Sequence, residues 1–141
     1  MQYEIMSRYN ARQATYHNEA PNTAIISITD PGTKKNLFYP QPWLVEILEL
    51  QFVDVENPKR GHISYEQANE IADFVKQNYS KVERFIVHCE YGQSRSAGVA
   101  AAISKYYEEH DNGIFGNSAY SPNKTCYHYV LKALKASINS N

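Results

Sequence analysis

An apolar segment that leads directly into a cysteine-containing loop is the feature that most constrains this chain. Residues 84–88 have an apolar centre, Phe85-Ile86-Val87, with two β-branched side chains, which is typical of a buried strand. Residues 96–107 are rich in alanine and other small residues, which favours a buried helix. A short loop separates the two. Because such a loop directs its backbone N–H groups and the positive helix end towards one point, we expect it to bind an anion such as phosphate.

Predicted strands and helices alternate along the chain. Strands are expected over residues 23–28, 47–53 and 84–88, with a shorter one near residues 4–6. This order predicts an α/β fold with a central, mostly parallel sheet of about four to five strands, flanked by helices on both faces. The length of 141 residues fits a single domain that spans residues 1–141. The functional crevice of such sheets lies beyond the carboxyl ends of the strands.

Three helices have sequence signals of their own. Ser64 followed by Gln67 is a capping-box pattern, which predicts a helix start. A second helix is expected over residues 96–110, ended by the Asn-Gly pair that follows. A third is expected to begin at Ser121, with Pro122 at the first helical position. The predicted buried face of the third helix is Tyr127, Val130, Leu131, Leu134 and Ile138.

Composition narrows the classes of partner. The net charge of -1 and the pI near 6.5 give no broad electrostatic reason to expect nucleic acid or an anionic membrane as a partner. No apolar run approaches the ~20 residues that cross a bilayer, and the first residues lack the features of a signal peptide. Cys89 and Cys126 are expected to be reduced, so the predicted location is cytoplasmic. The histidines lack metal-ligand spacing, and we expect neither a metal nor another cofactor.

The residue types around the loop suit attack on a phosphoryl group. Cys89 is the predicted nucleophile, with its pKa lowered by the loop N–H groups, the helix N-terminus and Arg95. The planar fork of Arg95 can bind two phosphate oxygens and stabilise the charge of the transition state. Ser96 is placed to hydrogen-bond the sulfur and to assist its departure from a phospho-cysteine intermediate. His88, just before the nucleophile, is expected to stabilise the loop.

The other loop residues are expected to bind phosphate chiefly through backbone N–H groups, with their side chains pointing outward. They are Glu90, Tyr91, Gly92, Gln93 and Ser94. Gly92 suits a loop that curls tightly around an anion, where a side chain could intrude. Tyr91 is a candidate contact for the substrate at the mouth of the pocket.

The stretch from His88 to Ser96 has the form His-Cys-x-x-Gly-x-x-Arg-Ser. It resembles the signature of the cysteine-based protein phosphatases and is most similar to that of the small dual-specificity branch. The order of strand, acidic loop, helix, signature loop and further helices extends the resemblance loosely over residues 45–135. The resemblance implies hydrolysis of phosphotyrosine, and also of phosphoserine or phosphothreonine, through a phospho-cysteine. The implied partner is a phosphorylated protein or a small phosphate ester.

The resemblance also implies a general acid on a separate loop upstream of the cysteine, which protonates the leaving oxygen and then activates water. Asp54 has a suitable spacing from Cys89 and follows the strand predicted over residues 47–53, so it is the predicted acid. It is expected to lie at the same sheet edge as Cys89. Glu56 and His62 share its loop and are the fallback candidates.

Three other functions stay open at this point. A non-catalytic module could use the same loop to bind phosphorylated partners without turnover. A phosphatase of non-protein esters, such as phosphoinositides or RNA ends, is a second alternative. Signatures that act on inositides tend to carry lysines within the loop, whereas this chain has Glu90 and Gln93, and Glu90 should repel additional phosphates. Sulfur transfer by a rhodanese-like domain is a third alternative, which the Arg95-Ser96 ending and the upstream acid fit poorly.

Overall fold

The computed structural model describes residues 1–35 and 38–137, in which the element order is β1-α1-β2-β3-α2-β4-α3-α4. The strands are β1 Gln2–Ser7, β2 Thr23–Thr29, β3 Leu44–Gln51 and β4 Arg84–Cys89. The helices are α1 Arg8–Ala14, α2 Tyr65–Asn78, α3 Arg95–Glu108 and α4 Lys124–Ser137. The strands pair in parallel in the order β1-β4-β2-β3. The predicted α/β fold with a mostly parallel sheet of about four to five strands is confirmed.

Alternate side chains of the central strand β4 enter two different cores. Phe85 and Val87 belong to a large apolar cluster that also contains the buried faces of α2, α3 and α4. Ile86, between them in sequence, packs with Ala11 of α1 and Ile25 of β2 in a smaller cluster. Because successive side chains of a strand point to opposite faces, the sheet is covered on both sides.

β3 begins and ends earlier than the strand predicted over residues 47–53. The chain leaves the sheet at Phe52, whose side chain is buried in the core. The next N–H group, that of Val53, donates to the Gly61 carbonyl at 2.7 Å and closes a loop. Asp54 therefore lies within the β3–α2 loop (residues 52–64) and not directly at the end of a strand.

Helix α2 begins with the predicted capping box, in which the Ser64 and Gln67 side chains each bond the other residue's backbone N–H. Helix α3 ends two residues before the predicted end at position 110, because Glu109 adopts a left-handed conformation with φ of 64°. No described helix is long and apolar enough to cross a membrane.

Helix α4 begins at Lys124, so the prediction of Pro122 at the first helical position is wrong. The residue between them, Asn123, is the cap. Its side-chain oxygen accepts a hydrogen bond from the N–H of Cys126 at 2.9 Å. A proline side chain has no acceptor atom and could not make this bond. Val130 and Leu134 are buried and Tyr127 and Leu131 are half-buried, whereas Ile138 lies outside the described residues.

Helix α1 has no counterpart in the sequence prediction. Ser7 caps it by accepting the N–H of Asn10 at 3.1 Å, and Ala11 is its buried residue. A helix of 7 residues with so little apolar surface produces no clear periodicity in the sequence. Its position matters, because it starts directly after β1, whose last residue Ser7 is the register partner of Cys89.

Candidate active site

The carboxyl edge of the sheet brings several predicted site residues together. Cys89 is the last residue of β4 and Arg95 the first residue of α3, so the β4–α3 loop (residues 90–94) joins strand to helix as predicted. Asp54 reaches the same place from the β3–α2 loop, since its Oδ1 accepts a hydrogen bond from the Ser94 hydroxyl at 2.7 Å. Asp54 and Cys89 therefore lie at one edge of the sheet.

The environment of Cys89 favours its thiolate form. The residue is 3% exposed, and its Sγ lies 3.0 Å from the Oγ of Ser96. Burial is the largest single influence and acts to raise the thiol pKa. Hydrogen bonds from the Ser96 hydroxyl and from the backbone N–H groups of Ser96, Ser94 and Gln93 together outweigh burial, so the pKa of Cys89 is lowered from its ordinary value. A thiolate is the form that attacks phosphorus.

Replacing Ser96 with alanine is expected to move the pH dependence of Cys89 alkylation to higher pH. The hydroxyl donates one of the hydrogen bonds that lower the thiol pKa, so its loss leaves a smaller thiolate fraction at neutral pH. The measurement is the rate of modification of Cys89 by iodoacetamide, a neutral reagent, against pH. Ser94→Ala is the matched control, because that hydroxyl bonds Asp54 and not the sulfur. Equal profiles for Ser96→Ala and the wild type would contradict this account.

The guanidinium group of Arg95 is buried, at 4% exposure for the residue. Its Nη1 donates to the Asp30 carboxylate at 2.8 Å and to the Phe52 carbonyl at 2.7 Å. Its Nε is also buried, yet it has no hydrogen-bond partner within residues 1–35 and 38–137. A buried N–H group without a partner is costly, and a phosphate oxygen is an acceptor that would satisfy it. The group is therefore held on one side by protein acceptors and is available to an anion on the other.

Two glycines allow the chain segments around the site to approach one another closely. Gly92 has a φ of +70°, and a Cβ there would lie 2.5 Å from the backbone of Met6 in β1. A side chain at position 92 would therefore meet β1, which is a steric reason for glycine that the sequence did not indicate. A Cβ at Gly98 in α3 would lie 2.4 Å from the carbonyl oxygen of Asn123. Close contact at both positions holds the β4–α3 loop between β1 and the start of α4.

Asn123 is a site residue that sequence reasoning missed. It is 2% exposed, and its Nδ2 donates to Asp54 Oδ1 at 3.0 Å and to the Val55 carbonyl at 3.1 Å. Its backbone N–H donates to the Ser94 carbonyl at 3.0 Å. One side chain thus joins the β3–α2 loop, the β4–α3 loop and the start of α4. Asparagine is a favoured helix-cap residue, and this was the available signal. From the sequence, the start of this helix was instead predicted at Ser121-Pro122.

Asp54 is the one of the three acid candidates that is bonded to a β4–α3 loop residue among the described contacts. It lines a cavity of about 400 Å³ together with Glu56. The carboxylate of Glu56, however, accepts the backbone N–H of Lys124 at 2.7 Å and so caps α4. The ring of His62 packs edge-on against Tyr129, with 5.6 Å between the ring centroids. Both fallback candidates are therefore directed towards α4.

Most side chains of the β4–α3 loop point outward. Tyr91 is 79% exposed, and the Glu90 carboxylate lies 3.9 Å from the guanidinium of Arg8. Gln93 is also exposed. Ser94 differs, because its hydroxyl bonds Asp54. The loop therefore presents backbone N–H groups inward, and its side chains connect it to neighbouring segments.

His88 has a structural position. It is 0% exposed, its Nε2 lies 2.6 Å from the Ser27 hydroxyl and its Nδ1 lies 3.2 Å from the Cys89 carbonyl. Burial lowers the pKa of His88 to about 4, and the charges of Arg8 and Arg95 act in the same direction. The ring is therefore neutral at pH 7. Because a carbonyl can only accept, Nδ1 carries the proton and helps to hold the end of β4.

Cys126 occupies a core position in α4. It is fully buried, and burial, with a smaller effect from the charge of Asp54, raises the pKa of its thiol. Both Cys89 and Cys126 are free thiols. In the described ranges, no group of three or more His, Cys, Asp or Glu side chains is arranged to hold a metal ion.

Comparison with known proteins finds similarity in structure and not in sequence. No family model matches the sequence, and neither does any curated protein. Human DUSP28 shares 12% identity with a TM-score of 0.63, over 99% of this chain and 95% of DUSP28. Tk-PTP in the active form shares 18% identity with a TM-score of 0.58, over 96% and 92% of the two chains. PTPMT1 in complex with PI(5)P shares 20% identity with a TM-score of 0.56, over 84% and 81%.

These likenesses define the fold as that of the small dual-specificity phosphatases, and the resemblance drawn from the motif is confirmed at the level of the fold. In this chain the fold positions a buried thiol, a guanidinium group and a carboxylate around the β4–α3 loop. That arrangement can bind a tetrahedral anion and deliver a thiolate to it.

Proposed function

We propose that this protein is a cysteine-dependent phosphatase that hydrolyses phosphotyrosine, with phosphoserine and phosphothreonine as further substrates, through a phospho-cysteine intermediate. One observation carries the proposal. The Cys89 thiol, bonded to Ser96 and with its pKa lowered, begins the same short loop that ends at a buried guanidinium with an unpartnered Nε. A phosphate monoester would bring both an electrophile for the sulfur and acceptors for Arg95.

In the first step, the thiolate of Cys89 attacks phosphorus as the bond from phosphorus to the tyrosyl oxygen breaks. Asp54 donates its proton to the departing oxygen, so the product leaves as a neutral phenol. The loop N–H groups and Arg95 bind the equatorial oxygens, where negative charge is held in the transition state. The contact of Asp54 with Ser94 supports this assignment, because it keeps the carboxyl group beside the loop.

In the second step, water attacks the phosphorus of the phospho-cysteine and the bond to sulfur breaks. The carboxylate of Asp54 takes a proton from that water, and inorganic phosphate is released. The hydroxyl of Ser96, 3.0 Å from the sulfur, donates a hydrogen bond to the departing thiolate. Both steps therefore use the same carboxyl group in its two protonation states, and Cys89 returns to its starting form.

Replacing Asp54 with asparagine is expected to lower kcat on a phosphotyrosine peptide by about 10²–10⁴-fold. The loss on p-nitrophenyl phosphate should be smaller, because its leaving phenoxide is a weaker base and needs a proton less. Loss of the acid should also remove the decline of kcat towards high pH. Asparagine keeps the shape and the acceptor oxygen that bonds Ser94 and Asn123. The measurement is a pH–rate profile on both substrates.

Glu56→Gln is the matched control, since Glu56 lies in the same loop but caps α4. It is expected to keep the activity and the pH profile. An unchanged profile in Asp54→Asn together with a lost limb in Glu56→Gln would transfer the acid role to Glu56. Unchanged kinetics in both variants, with slow turnover by the wild type, would favour the non-catalytic phosphate-binding module.

A further inference from the structure

A second cavity lies directly beside the β4–α3 loop, on the side of α1. It has a volume of about 620 Å³. Its walls include Arg8, Arg12, Lys34, Lys35, Glu90 and Tyr91. Glu90 and Tyr91 are the first two residues after Cys89, so this basic cavity adjoins the proposed phosphate site.

The basic cavity carries a local surplus of positive charge. Four of its wall residues are cations and one, Glu90, is a carboxylate. A second carboxylate, Glu49, lies 3.8 Å from Lys35. When both carboxylates are counted, two positive charges are left without a matching negative charge among these groups. The whole chain has a net charge of -1, so the surplus belongs to this place and not to the surface in general.

The ion pairs in the basic cavity are long and accessible to water. The Nη1 of Arg8 lies 3.9 Å from Oε1 of Glu90, and their side chains are 34% and 32% exposed. The pair of Lys35 and Glu49 is similar in length, and Lys35 is mostly exposed. Strong charge-assisted hydrogen bonds are shorter, at about 2.7–2.9 Å, and exposed pairs contribute little. An incoming anion can therefore compete with the carboxylates of these two pairs.

The contact with Arg8 changes the effect that the Glu90 carboxylate is expected to have on a negatively charged substrate. From the sequence, this carboxylate was expected to repel any phosphate beyond the one that reacts. In the structure it faces a guanidinium group and stands among four cations. Additional negative charge on a substrate therefore meets net attraction at the basic cavity.

The position and the lining of the basic cavity fit a peptide. Register partners on adjacent strands lie roughly 4.8 Å apart, so the chain that continues from Ser7 into α1 begins about one strand spacing from Cys89. Arg8 and Arg12 are four residues apart and share one face of α1. An extended peptide advances about 3.3 Å per residue, so side chains close to the phosphotyrosine reach these cations. Tyr9 and Tyr91, at 69% and 79% exposure, add aromatic surface against which the apolar parts of the peptide's side chains can pack.

We propose that the basic cavity binds a second anionic group, a carboxylate or a further phosphate, on the peptide that carries the phosphotyrosine. This proposal rests on the proposed function of the neighbouring site. Arg12 and Lys34 would determine specificity and take no part in the chemical steps. A compact inositol headgroup fits less well, because its second phosphate would lie near the first, where residues 90–94 of the loop contain no lysine or arginine.

The test compares the wild type with the double variant Arg12→Gln and Lys34→Gln. The substrates are p-nitrophenyl phosphate and three versions of one phosphotyrosine peptide, with neutral flanks, with flanking glutamates, and with a phosphothreonine two residues away. The wild type is expected to show about fivefold to tenfold higher kcat/KM on the acidic versions, with a preference that falls as salt is raised. The double variant should lose the preference and keep its kcat/KM on p-nitrophenyl phosphate. The two acidic peptides separate a carboxylate from a phosphate as the group bound.

The matched control is the double variant Lys81→Gln and Lys105→Gln. It also removes two positive charges, but at residues that do not line the basic cavity: Lys81 precedes β4 and Lys105 lies in the last turn of α3. It should keep the preference. Equal kcat/KM on neutral and acidic peptides, or an undiminished preference in the double variant, would overturn the proposal. Faster turnover of a soluble inositol phosphate than of every peptide would overturn it in favour of inositides.

A failure of the proposed function is distinguishable from a failure of this proposal. If the wild type did not hydrolyse p-nitrophenyl phosphate, the proposed function would be wrong. The basic cavity would still be tested, by calorimetric binding of the neutral and acidic phosphopeptides to protein carrying Cys89→Ser. Tighter binding of the acidic peptides, lost with Arg12→Gln and Lys34→Gln, supports the proposal, and equal binding overturns it.

Discussion

Replacing Cys89 with serine is expected to abolish hydrolysis of aryl phosphates, with a loss in kcat of roughly 10⁴-fold or more. A serine hydroxyl stays protonated at neutral pH, whereas the hydrogen bonds around the sulfur lower the pKa of the thiol. The adjacent His88 does not supply a base, because its ring is buried against Ser27 and the Cys89 carbonyl. The measurement is steady-state turnover of p-nitrophenyl phosphate and of a phosphotyrosine peptide.

The Cys89→Ser variant should still bind a phosphopeptide, because the backbone N–H groups of the loop and Arg95 are unchanged. Calorimetry therefore separates loss of chemistry from loss of folding. Cys126→Ala is the matched control, since Cys126 is a thiol in the core of α4 with a raised pKa. It is expected to keep the activity. Turnover that survives Cys89→Ser would show that the nucleophile is another group, and the phospho-cysteine mechanism would be wrong.

Replacing Arg95 with lysine is expected to lower kcat/KM by about 10²–10³-fold even though the positive charge is kept. The guanidinium uses Nη1 to bond Asp30 and the Phe52 carbonyl, and its buried Nε is available to a phosphate oxygen. An ammonium group on a flexible stem cannot hold the protein acceptors on one side and the anion on the other. Turnover at saturating substrate, and inhibition by inorganic phosphate, should both weaken.

Arg84→Lys is the matched control for Arg95→Lys. Arg84 begins the strand that Cys89 ends, its side chain is 11% exposed, and it bonds Thr23 and Glu4. The same substitution there should lower stability without changing the apparent affinity for phosphate. Activity of Arg95→Lys close to that of the wild type would mean that phosphate is bound by the backbone alone. Thermal unfolding of both variants shows that each is folded at the assay temperature.

The fold was predictable where local patterns were strong. The capping box of Ser64 and Gln67 and the apolar strand at residues 84–88 lie within a few neighbouring residues, so their signals are complete in the sequence. Helix α1 was missed because one buried alanine gives too weak a periodicity. The start of α4 was misplaced because a proline and an asparagine both favour helix starts, and contacts with other segments decide between them.

The candidate site also contains residues that local sequence predicts and residues that only contacts between remote segments identify. The sequence predicted Cys89, Arg95 and Ser96 as a group, because they belong to one strand–loop–helix unit. It also predicted Asp54, through a family resemblance, without indicating what holds it. Asn123 was missed because its role depends on contacts with Asp54, Val55 and Ser94, which are remote in the chain.

The sequence by itself determined the candidate nucleophile, the loop that follows it and the start of the next helix, because residues 88–96 are contiguous and their spacing sets which groups can lie around one point. Only the tertiary structure decided which carboxylate lies beside that loop, how the Arg95 guanidinium is held, and which basic residues adjoin the loop. Each depends on segments that are far apart in the chain and that parallel strand pairing brings to one edge. The physical reason is that a loop's backbone geometry is local, whereas its electrostatic surroundings come from the packing of the whole sheet.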